Sequence, residues 1–171
     1  LNTAGVLKNL IREAEFNINI AVSSSKKKIA IIDGENIFHS STFNQRQILN
    51  LILGLINNDY FVFILRHRAN SLFPFTDVTP STEEQELLDE YMHEILKGRS
   101  GSLIDDFFTV LLSVIGHKSK HYGVPTFLIS SNREDFKKSF LSMRSFKAGS
   151  TSIGIQNTTG RTKTKFIENI S

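Results

Sequence analysis

Carboxylates stand at three places in this sequence where an α/β protein brings side chains to one edge of its sheet. Asp33 closes the apolar run 28–32 and is followed by Gly34, Glu35 and Asn36. Asp105 and Asp106 open the apolar stretch 103–115, and Asn132, Arg133, Glu134 and Asp135 follow the run 126–131. Ligands of open α/β sheets bind beyond the C-terminal ends of the strands, so all three places can converge on one cleft. Clustered carboxylates repel one another without a cation, and their hard oxygens suit Mg2+ or Mn2+. A cation held there activates water and stabilises charge on a phosphate, which makes phosphodiester hydrolysis the chemistry this set would do. Each piece alone has a plainer reading. An Asp pair in a first helical turn answers the helix dipole, and Asp-Gly is a common turn signal. The conjunction of the three favours a site.

Basic residues surround the same places. Arg66, His67 and Arg68 close and follow the apolar run 60–65, Lys97 and Arg99 precede the Asp pair, and Arg133 lies beside Asn132. Guanidinium forks match phosphate oxygens, so a basic rim around an acidic pocket suits a polynucleotide backbone. Lys26, Lys27 and Lys28 read as a solvated run, as do Lys118 and Lys120. His117 and His121 have the i, i+4 spacing of a zinc pair but lack the HExxH signature, so zinc is not expected. Most of the 14 phenylalanines belong to apolar elements. Phe73 and Phe75, beside Pro74 in a long connection, are the candidates for stacking on bases.

The elements that must position these residues follow from apolar spacing. Val6, Leu7, Leu10, Ile11 and Ala14 predict an amphipathic helix over about 3–15, and a Ser/Lys linker follows it. Residues 28–33 and 60–66 lack alternation, as strands buried on both faces do, and Ile48, Leu49, Ile52, Leu55 and Ile56 place a helix over about 43–57 between them. This is a βαβ unit. Ser81 and Glu84 have capping-box spacing and predict a helix from about 82 to 97, with Gly98 as its stop. Ser102 caps a third helix ending at Gly116, residues 126–131 form another buried strand, a short helix spans about 134–143, and 150–157 is an edge strand. Alternating strands and helices give a three-layer α/β/α sandwich around a central, mostly parallel sheet. The expected division is an N-terminal helix and linker, 1–25, before a domain spanning 26–171.

With these motifs in order, the chain resembles the NYN domains of the PIN-like ribonuclease superfamily, the group of the Regnase type and protein-only RNase P. The segment 31–40, IIDGENIFHS, is similar to the family's opening motif, in which a strand-end Asp and an Asn three residues later begin the active site; Asp33 and Asn36 fit it. LIDDFFTVLL, 103–112, is similar to the family's Asp-Asp-aromatic helix start, and FVFILRHR, 61–68, resembles the Regnase-type second strand running into a basic loop. The resemblance covers about residues 28–140. It implies that Asp33, Asp106 and Asp135 hold Mg2+ or Mn2+ with help from Asp105 and Asn132, that Asn36 orders the site by hydrogen bonding, and that Arg66, Arg68, Lys97, Arg99 and Arg133 contact single-stranded or structured RNA. The fourth motif departs from the pattern. LISSNREDF, 128–136, has Asn132 where the family carries Asp, and an amide oxygen can ligate Mg2+ but brings no negative charge.

Composition sets the outer limits. The chain of 171 residues, 40% of them apolar and 22% charged, suits one globular domain. It has no cysteine, which removes disulfides, thiolate zinc sites and thiol nucleophiles together and fits a reducing, intracellular compartment, cytoplasm or nucleus. No apolar run reaches the roughly twenty residues that span a bilayer, so no membrane is expected. A net charge of +3 permits nucleic-acid binding without requiring it. Leu1 in place of methionine points to an excised domain or a processed product, with flanking domains or a homodimer as open expectations. Two other classes compete with a metal-dependent endoribonuclease. One is a degenerate NYN domain that binds RNA or a protein without cutting. The other, a phosphohydrolase or receiver-like domain, is weaker because the motif after the first strand lacks the second Asp of a DxD nucleophile.

Overall fold

Lys28–Asp33 forms the central strand, β1, and its burial on both faces explains its unbroken apolar run. The computed structural model describes residues 3–38, 43–97, 126–130 and 153–154. In chain order these are α1 (Thr3–Ser23), β1, α2 (Gly34–Ile37), α3 (Gln45–Asn57), β2 (Tyr60–His67), α4 (Thr82–Tyr91), β3 (Met92–Lys97), β4 (Thr126–Ser130) and β5 (Ile153–Gly154). The sheet runs β3-β2-β1-β4-β5 with every pair parallel. In register, Asp33 stands opposite Leu65 of β2, and Ile32 stands opposite Ile129 of β4. The protein is an α/β sandwich, as the alternation of elements predicts.

Strand alternation divides the core. Ala30, Ile32, Val62, Ile64 and Ile129 pack with Ile48, Leu49 and Ile52 of α3 and Leu88 of α4. Ile29, Ile31, Phe61 and Phe63 are buried on the opposite face. There α1 lies close: Phe16 and Ile20 share a crevice with Phe61, and the Glu13 charge reaches His93 of β3. Among the described residues, no helix is long and apolar enough to cross a membrane.

Three expectations need correction. The first helix does not stop near 15. Ala14, Asn17, Ile18 and Ala21 are all buried at the i, i+3, i+4, i+7 spacing of one helical face, which carries the helix on to Ser23. Asn17 Nδ2 donates back to Glu13 O at 2.9 Å, four residues earlier, which spares the amide from competing with the helix. Second, the helix expected over 82–97 ends at Tyr91. Ser81 and Glu84 do form the capping box, but Met92 turns extended and 92–97 becomes the edge strand β3. Pairing with β2 buries Ile95, and Glu94 accepts bonds from Ser71 Oγ at 2.5 Å and Leu72 N at 2.8 Å. Those long-range bonds override a helical periodicity that residues 87–96 carry equally well.

Third, two lysines of the Lys run are engaged and not simply solvated. Lys26 Nζ donates to Ile56 O at 2.8 Å and lies 4.4 Å from the Tyr91 ring centroid, while Lys28 Nζ lies 4.3 Å from that of Tyr60. Ser25 Oγ is 2.9 Å from Tyr91 Oη. Lys26 and Lys28 therefore fasten the lead-in to β1 by carbonyl and cation–π contacts at the N-terminal end of the sheet. That end is opposite the one where Asp33 lies. The helices expected at 102–115 and about 134–143 lie outside the described residues. Ile153–Gly154 pairs with β4 at the margin of the sheet, as expected of an edge strand.

Candidate active site at the C-terminal edge of the sheet

Strand order reverses between β1 and β4, which makes the crevice beyond their C-terminal ends the natural ligand position of this sheet. Asp33 is the last residue of β1 at that crevice. It belongs to the face of Ile29 and Ile31, and it is only 2% exposed, so it sits beneath the rim. Its carboxylate makes no capping bond to α2, which begins at the next residue. A carboxylate at the end of the central strand places a hard-oxygen donor beside the crevice.

Arg66 is the largest departure from expectation. It was expected on a phosphate-facing rim, but it is 8% exposed and lies on the α3 face of the sheet. Its Nη1 donates to Gly34 O at 2.7 Å and Phe38 O at 3.4 Å, and its Nε donates to Asn70 O at 2.9 Å. Glu35 Oε1 lies 3.8 Å from that Nε. The guanidinium thus satisfies carbonyls from both ends of α2 and from the turn after β2, a task its fork of donors suits and an ammonium does not. Glu35 completes the frame, accepting from the His67 backbone N–H at 2.5 Å and from Asn70 Nδ2 at 3.1 Å. Gly34 is required by this packing: a Cβ there would lie 2.3 Å from Arg66 Cδ and 2.7 Å from Leu65 O. The sequence shows Gly34 and Glu35 directly after a strand end, but no local pattern in it shows that Arg66 folds back over them.

Arg68, by contrast, is exposed in the turn Arg68–Asn70 beyond β2. His67 Nδ1 accepts from Ala69 N at 3.2 Å, which sets the neutral ring's proton on Nε2. His93 lies two register rows below Asp33, opposite Phe63. Partial burial lowers its pKa, against the opposing pull of Glu13 and Glu94. Phe73 and Phe75 meet at a tilt of 58° with 4.6 Å between ring centroids and pack against the core, which commits part of the surface proposed for bases.

A cleft of about 890 Å3 opens at the same edge, on the α3 side. Glu35, Phe38, Asn44, Arg46, Gln47 and Asn70 are among its lining residues. Sequence reasoning missed it, because its walls come from the N-terminus of α3 and the connection after β2, which meet only in the folded chain. Asn36 falls in α2, but its side chain lies outside the described residues, as do the side chain of Lys97 and the whole of Asp105, Asp106, Asn132, Asp135, Arg99 and Arg133. Among the described residues, no three His, Cys, Asp or Glu side chains gather as a metal site. The fold and the placement of Asp33 define a parallel α/β protein with a candidate ligand site at its strand-order reversal. No protein-family model matches the chain, and no curated protein or solved structure matches it either.

Proposed function

We propose that this protein is a divalent-metal-dependent ribonuclease of the NYN type, acting on RNA phosphodiester bonds. The observation that carries the proposal is the position of Asp33, a buried carboxylate at the end of the central strand, beside β4 where the strand order reverses. The donor chemistry fits Mg2+ or Mn2+, with Asp33 as one ligand and Asp105, Asp106, Asp135 and Asn132 as the others the NYN resemblance supplies. Such a cation, when bound, supplies a water of lowered pKa and charge stabilisation on the phosphate. The chain's own part is to hold Asp33 in place, and the Arg66 and Glu35 frame does this by fixing α2 directly after it. Arg68 and the basic residues 97, 99 and 133 would receive the RNA backbone. Cleavage of single-stranded RNA by the purified chain, present with Mn2+ and abolished by EDTA, is the test. RNA binding without cleavage in Mn2+ would instead support the degenerate RNA-binding domain.

The exposure of Arg68 gives a quantitative expectation. Arg68→Ala should weaken RNA binding for all sequences alike and reduce the log-log salt slope by about one unit, as one lost phosphate contact does. Binding isotherms at several salt concentrations measure it. An unchanged slope removes Arg68 from the RNA path.

A further inference from the structure

Taking the ribonuclease reading as given, we infer that the His67 imidazole is an RNA-binding group of the same site: it donates Nε2–H to a phosphate oxygen of the strand that enters the crevice beside Asp33. His67 is the last residue of β2, and its φ of −69° and ψ of 139° keep the strand extended through it. Side chains alternate along a strand, so with Arg66 folded onto the α3 face, His67 belongs to the face of Phe61, Phe63 and Leu65. Leu65 stands opposite Asp33 in register, and Asp33 belongs to that face too. His67 is therefore one strand over and two residues farther along, which puts the two Cα atoms about 8 Å apart. Side chains at that separation can border one sugar–phosphate unit.

The ring is held so that one nitrogen remains for a ligand. The His67 backbone N–H donates to Glu35 Oε1, which pins the end of β2 to α2. Nδ1 accepts from Ala69 N at 3.2 Å, and a backbone N–H only donates, so Nδ1 keeps its lone pair and the neutral ring has its proton on Nε2. Among the described residues Nε2 has no hydrogen-bond partner, and the residue is partly exposed. The bond to Ala69 accounts for Nδ1 and leaves Nε2 unused. Because its outward nitrogen carries the proton, His67 cannot ligate a cation there and can only donate, which fits a phosphate oxygen and not a metal. Phosphate oxygens accept from uncharged donors as well as from arginine and lysine. Exposed Arg68 follows in the turn beyond β2, so a backbone that passes His67 meets a guanidinium next.

Fluorescence anisotropy with a labelled single-stranded hexauridylate in EDTA reads the contact apart from the cation. His67→Asn keeps an oxygen for Ala69 N, as a capping Asn does, and removes the outward donor. It should weaken binding about tenfold, the value of one hydrogen bond to a charged acceptor, with the unfolding temperature unchanged. His67→Gln extends an amide NH2 toward the Nε2 position and should recover most of that affinity. The lost group is uncharged, so His67→Asn should keep the log-log salt slope of the parent, whereas Arg68→Ala lowers it. In the parent, the oligomer should shift the His67 Nε2 resonance in long-range proton–nitrogen correlation spectra while Nδ1 keeps the signature of an unprotonated nitrogen. Parental affinity in His67→Asn, a loss that His67→Gln does not repair, a salt slope lowered by about one unit, or an Nε2 resonance indifferent to the oligomer overturns the inference. Mn2+-dependent cleavage by the parent with binding unaltered in His67→Asn ends the contact and leaves the ribonuclease reading. His67-dependent RNA binding without cleavage in Mn2+ keeps the contact and ends that reading.

Discussion

Asp33→Asn is expected to lower metal-dependent RNA cleavage at least about a hundredfold while the protein stays folded. The substitution keeps the size and shape of a side chain that is 2% exposed, so the packing around β1 is preserved. What it removes is one negative charge at the point where strand order reverses, and a hard cation is held chiefly by such charges. Rates measured at saturating Mn2+, with thermal unfolding followed in parallel, separate the two effects. Undiminished cleavage by a clean preparation would take Asp33 out of the chemistry.

Arg66→Ala carries the second large effect, and it is on stability. The substitution strips the carbonyls of Gly34, Phe38 and Asn70 of a shared donor and leaves Glu35 without its cation. Breaking a buried, hydrogen-bonded charge in this way costs about 3–5 kcal/mol. For a chain of this size that is a fall in unfolding temperature of about 10 °C. Arg66→Lys should recover only part of it, because one ammonium cannot stand both where Nη1 meets Gly34 O and Phe38 O and where Nε meets Asn70 O. Differential scanning calorimetry of the two variants measures the loss. An unchanged unfolding temperature together with weakened RNA binding would return Arg66 to the RNA-facing rim that its place in the sequence suggests.

Arg66 also marks where a sequence stops being legible. The strands 28–33 and 60–67 are readable because burial on both faces leaves an unbroken apolar run, and Asp33 is readable because it ends one of them. The α3 helix is readable because Ile48, Leu49, Ile52, Leu55 and Ile56 recur at helical spacing, and the Asn44–Gln47 capping box then fixes its start. Whether Arg66 points to solvent or folds over Gly34 depends on contacts 28 to 32 residues away, which no local pattern encodes. The same holds for residues 92–97, where helical spacing and strand pairing compete and Glu94 bonds to Ser71 and Leu72 favour the strand. Lys26 and Lys28 looked solvated for the same reason, since Tyr91 and Tyr60 lie far off in the chain. The acids of the NYN resemblance beyond Asp33 are legible only as motif, because Asp105, Asp106 and Asp135 lie outside the described residues.

A metal-dependent ribonuclease must hold a cation at the C-terminal edge of this sheet, and Mn2+ titration calorimetry of the parent chain beside Asp33→Asn tests that directly. The parent should bind Mn2+ saturably, and the variant should bind it at least about tenfold more weakly, as the loss of one carboxylate ligand charge requires. Saturable binding that is equal in the two proteins would move the cation away from Asp33, and no binding in either would contradict the metal-dependent ribonuclease.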